Sequence, residues 1–97
     1  MATLIEAAQR PARTRNALEV ARAQALFASA LQASDQPCPE RVHEAVTTTL
    51  RRLGNGGCAA LLAAEFGDHP ELAAARMGWA LAVTRMVYPA GPLALAT

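Results

Sequence analysis

Four residues of this chain have the chemistry to hold a metal ion: Cys38, His43, Cys58 and His69, in a C-x4-H…C-x10-H arrangement. Two thiolates and two imidazoles form a donor set that tetrahedral zinc accepts. The spacing lacks a paired C-x2-C, and Cys38 and His43 straddle a helix start. We therefore expect two small thiols and two surface imidazoles, with no metal and no other cofactor. Cys58 follows Gly56 and Gly57 at the expected start of a helix, where the dipole favours a thiolate. Its continuation, Ala59-Ala60-Leu61-Leu62, makes a small core residue the plainer expectation. Gly54-Asn55-Gly56-Gly57 is glycine-rich but has no lysine after it and not the spacing of a dinucleotide fingerprint, so it reads as a helix stop and hinge. No Ser/His/Asp set with a nucleophile turn and no pair of carboxylates in an apolar setting is present. The expectation is a protein that is not an enzyme.

The second chemistry open to the chain is recognition by arginine. Arg51, Arg52, Arg76 and Arg85 could contact phosphates if the fold brought them to one face with His69. Whether it does depends on the helices that carry them. Thr3-Leu4-Ile5-Glu6 has the form of a capping box, so a short helix is expected from about Leu4 to Gln9, closed by Pro11. Asn16-Ala17-Leu18-Glu19 repeats the pattern. Val20, Ala23, Phe27, Ala30 and Leu31 then fall at helical spacing. Ser34-Asp35-Gln36-Pro37-Cys38-Pro39 is a break, with Pro39 suited to a first helical residue. Val42, Ala45, Val46, Leu50 and Leu53 make the clearest apolar stripe in the chain, and Thr47 to Thr49 are expected on the solvent side. A short helix from Cys58 to Phe66 ends at Gly67, and a last one runs to about Val87 with Leu72, Ala75, Trp79, Val83 and Met86 on one face. Pro89 to Pro92 ends it and leaves a frayed tail over 89–97.

Leu61 to Ala80, LLAAEFGDHPELAAARMGWA, joins two of these helices across Gly67. With Ala63 four residues before that glycine, Leu62 and Phe66 at buried positions and a new helix near His69, the segment resembles helix-turn-helix DNA-binding domains. The resemblance implies a left-handed glycine at the turn and a tri-helical unit with Val42–Leu53 as the preceding helix. It also implies a transcription regulator binding DNA as a dimer, with His69, Arg76, Arg85, Arg51 and Arg52 as the contacts. Three positions depart from the pattern: Asp68 where an apolar turn residue is usual, Ala73 where a larger aliphatic packs, and Arg76 at a place that is often apolar. The leading end of the second helix would present Asp68 and Glu71, which repel a duplex.

With 97 residues there is room for one domain, and 24 of them are alanine. Alanine forms helices readily but buries little apolar area, so the expected fold is an all-α bundle with a thin core. It has four main helices plus the short amino-terminal one, over 1–15 with its linker. A thin core invites a second copy, and Phe27, Trp79 and Met86 are the expected interface residues. Net charge is +1, so no global field draws the chain to nucleic acid or membrane. The alternative to DNA binding is a helical protein–protein interaction module, an adaptor or regulator without nucleic-acid contact. Its mark would be an exposed apolar patch with Trp79, Met86 or Tyr88 among its members. No run is long and apolar enough to span a membrane, and MATLIEAAQR is not a secretory signal. Two cysteines make no disulfide framework, which suggests a reducing cytoplasm. The abundance of alanine and arginine is typical of a high-GC bacterial genome.

Overall fold

A computed structural model describes residues 16–89. The expected helix from Leu4 to Gln9 and the tail beyond Pro89 lie outside these residues. The described residues are all-helical, with no strand. They form three helices rather than four: α1 over 16–28, α2 from Pro39 to Asp68 and α3 from Pro70 to Val87, with a single 3-10 turn at Ala33–Asp35 between the first two. None of these helices is long and apolar enough to cross a membrane.

The missing boundary is at Gly54. The expected loop over Gly54–Gly57 contracts to one non-helical residue, Gly54, with φ 69° and ψ 171°. Only glycine adopts that conformation without strain, and it kinks α2 instead of ending it. Beyond the kink, a Cβ at Gly57 would come within 3.0 Å of Leu53 Cβ, so the two segments of α2 meet closely there. Cys58 is thus inside α2 and not at a helix start.

The second boundary falls where expected. Pro70 has no N–H to continue the α2 ladder and forces the residue before it out of the helical region. His69 accordingly takes φ −140° and ψ 67°, closes α2 through its N–H to Glu65 O at 2.7 Å, and starts α3 by accepting from Ala73 N at 2.8 Å. The junction is this one residue. Gly67 is helical and not left-handed, and Ala63 is exposed. Neither the turn nor the close crossing that a helix-turn-helix resemblance implies is built here.

After the junction α3 runs back along α2, which brings Tyr88 against His43 with ring centroids 4.4 Å apart. It runs against α1 as well, because Arg76 meets Phe27 while Arg85 meets Glu19. The core between the helices consists of Ala23, Ala25, Leu26, Phe27 and Leu31, with Val42, Val46, Cys58, Ala73 and Ala80. The α2 stripe is as expected at Val42 and Val46, but Thr49 is buried with them, and only Thr47 and Thr48 face solvent. Val20 in α1 and Ala30 just beyond it are exposed, whereas Ala25 and Leu26 are buried. The helix stops at Ala28, so Leu31 reaches the core from the connection and not from the stripe.

The largest correction concerns α3. Its buried residues are Ala73, Ala80 and Thr84, one step round from the expected face, while Leu72 and Met86 are 72% and 80% exposed. Small side chains turned inward let α3 approach its neighbours closely, and this arrangement overrides the burial that the two larger residues alone would favour.

Candidate functional site

Arg76 fixes that rotation. Its Nε donates to Phe27 O at 3.0 Å, and its Nη2 reaches Ser29 O at 3.0 Å, Leu31 O at 2.8 Å and Leu26 O at 3.5 Å. The last carbonyls of a helix lack partners within it and carry the negative pole of its dipole. A planar, forked cation on α3 therefore closes the end of α1 and steers the chain into the connection. Ser29 completes the closure, its Oγ donating to Leu26 O at 2.6 Å and accepting from Leu31 N at 3.3 Å. The guanidinium also lies 5.6 Å from the Phe27 ring centroid and 5.2 Å from that of Trp79. Burial draws its pKa below the ordinary arginine value, yet an arginine stays charged throughout the physiological range. This role was absent from the sequence reading. The available signal was an arginine at a helical position that the resemblance makes apolar.

Of the five residues expected to contact DNA, Arg76 and Arg85 are bonded within the protein. Arg76 is engaged with the carbonyls of α1. Arg85 pairs with Glu19 at 3.0 Å, near the other end of that helix. Arg51 and Arg52 are exposed ahead of the Gly54 kink, and His69 is exposed at the junction beyond it. Arg52 and Arg76 line two cavities of about 390 and 320 Å³ that share Ala28 and Ser29 in their walls.

Of the expected interface residues, Phe27 is core at 4% exposure and Trp79 is half-buried beside Arg76. Met86 is exposed. Among the described residues no three of His, Cys, Asp and Glu come together as metal ligands. Cys38 is exposed and Cys58 buried, and burial pushes the Cys58 thiol up, which is opposite to the effect of a helix start.

The surface that stands out is the α2–α3 hairpin. From Ala59 to Leu72 only Leu62 is even half-buried. Leu61, Phe66 and Leu72 are left 38%, 39% and 72% exposed. Leu61 and Leu72 share the smaller cavity with Glu65 and Arg76, where α3 folds back past the end of α1. Leu61 and Leu72, one on each arm of the hairpin, thus give that cavity large exposed apolar side chains, a feature of the kind that marks an interaction site.

Comparison with protein-family models, with curated proteins and with solved structures finds no match to this chain.

Proposed function

We propose that this protein is a self-associating helical interaction module, an adaptor or regulator that works through its α2–α3 hairpin and makes no nucleic-acid contact. The observation that carries the reading is the exposure of Leu61, Phe66 and Leu72 on one hairpin while the core behind it is built largely from alanine and valine. A thin core gains from apolar surface supplied by a second copy. Two of the arginines that a duplex would need, Arg76 and Arg85, are already bonded within the protein. Two acidic residues, Asp68 and Glu71, flank the junction that would lead into a groove.

The test is sedimentation of the full chain over a concentration series, with Leu72→Glu beside the wild type and a labelled generic duplex titrated in parallel. The wild type is expected to dimerise, Leu72→Glu to remain monomeric, and the duplex to stay free at about 50 mM salt. Micromolar duplex binding by a monomer, weakening linearly in log salt, would overturn the reading and restore the DNA-binding alternative.

A further inference from the structure

The charges along α2 and into α3 are polarised. Between Arg52 and Arg76 the sequence contains no lysine or arginine, and its carboxylates are Glu65, Asp68 and Glu71, all exposed at the hairpin tip. On the other side of the Gly54 kink, α2 forms the larger cavity with the end of α1 and the connection after it, residues 28–31, and Arg41, Glu44, Ala45, Thr48, Thr49 and Arg52 line it. Neither Arg41 nor Arg52 has a salt-bridge partner among the described residues. An acidic, apolar projection and a groove that carries two arginines against one glutamate over small side chains thus lie on the same helix, separated by the kink.

We infer that the occupant of this groove is the hairpin tip of a second copy of the chain, and that the two copies exchange tips reciprocally about a two-fold axis. The inference rests on the self-association proposed above and names its geometry. Thr48 in the groove and Asp68 at the tip are twenty residues apart on α2, on opposite sides of the Gly54 kink. Two α2 helices laid antiparallel place each tip against the other's groove, with their midpoint at the buried Cys58, beside Ala59 and Ala60. Both alanines are small and exposed, so the helices can approach closely there. Glu65, Asp68 and Glu71 then meet Arg41 and Arg52, while Phe66 or Leu72 lies over Ala45 and Thr48. Because the contact is isologous, both halves form together and the assembly closes at two.

The experiment is a charge exchange in the full chain, read by sedimentation equilibrium at about 150 mM salt, with circular dichroism verifying the helices. One variant carries Arg41→Glu and Arg52→Glu, the other Glu65→Lys and Glu71→Lys. Each alone is expected to weaken the dimer by about tenfold or more, since like charges then face one another. An equimolar mixture is expected to recover it, because both contacts of the mixed dimer are again of opposite sign. A wild-type dimer indifferent to both changes, or a mixture that stays monomeric, overturns the tip-in-groove geometry and leaves the self-association intact. Species that grow beyond two with concentration overturn the closed two-fold in favour of an open head-to-tail chain. A wild type that is monomeric at about 100 µM overturns the self-association itself. If either variant loses its helices, Arg52→Gln and Glu71→Gln replace it, and weaker dimerisation of each is the result that supports the geometry.

Discussion

Around the end of α1, Leu26, Phe27 and Leu31 are enclosed beneath Arg76, whereas across the smaller cavity Leu61 and Leu72 are exposed. The two regions draw on the same residue types, and α3 serves both. They differ in whether backbone carbonyls need a partner. The exposed end of a helix can be solvated by water, but an end folded against a bundle needs donors from the protein. Arg76 supplies those donors and in doing so sets the rotation of α3. That rotation turns Ala73 and Ala80 inward and leaves Leu72 outside. The enclosed region is therefore held by directed bonds, and the hairpin carries apolar surface that those bonds exclude from the core.

Substitutions on the two sides of this comparison should part widely. Arg76→Ala is expected to cost about 2–3 kcal/mol in urea unfolding, because it strips donors from several carbonyls and uncovers Phe27 and Trp79. Arg76→Lys should recover only part of this, lacking the planar fork. Leu72→Ser should stay within about 0.5 kcal/mol for the monomer. Equal losses at Arg76 and Leu72 would dissolve the distinction between the regions.

The glycines of α2 offer a second contrast. Gly54→Ala is expected to lose about 1–3 kcal/mol through backbone strain alone, since open space surrounds the added Cβ. Gly67→Ala, in a regular and exposed part of the same helix, should gain about 0.5–1 kcal/mol. A gain at both positions would show that the kink straightens in solution.

Within the core, Thr84 is buried and its hydroxyl has no partner among the described residues. Thr84→Val keeps the shape and removes the orphan, so a gain of about 1 kcal/mol is expected by thermal or urea melting. A loss would mean that the hydroxyl is satisfied in solution.

The cysteines should separate by kinetics at neutral pH with little change in stability. Cys38 is expected to react with a thiol reagent at once, and Cys58 only on unfolding. Burial raises the Cys58 pKa in the folded chain, so ionisation favours the unfolded state. Its contribution is complete below the pKa of an unfolded thiol and lost as pH climbs through and above that value. Fast labelling of both thiols would place Cys58 outside the core.

Much of this was legible in the residue order. Pro39 and Pro70 fix two helix starts because proline suits a first turn and no later one. The α2 stripe at Val42 and Val46 is buried as its spacing requires. What misled was a set of residues whose effect depends on their neighbours. Gly54 can end a helix or merely bend it, and here the chain resumes its helix directly beyond it. Leu72 and Met86 outweigh Ala73 and Ala80 on any hydropathy count, yet the smaller pair is inside. Arg76 suits a phosphate contact as well, because a guanidinium recognises any acceptor of suitable geometry, and its acceptors lie forty-five to fifty residues away in the chain.

The sequence by itself determined the helical class, the proline-marked starts, the apolar face of α2 and the polarity of its charges. These follow from backbone propensity and from side-chain period, which are local properties. Only the tertiary structure decided the continuity of α2 through Gly54, the rotation of α3 and the engagement of Arg76. Each of these turns on which distant group supplies a hydrogen-bond partner or allows a close approach, and one-dimensional spacing cannot encode that choice.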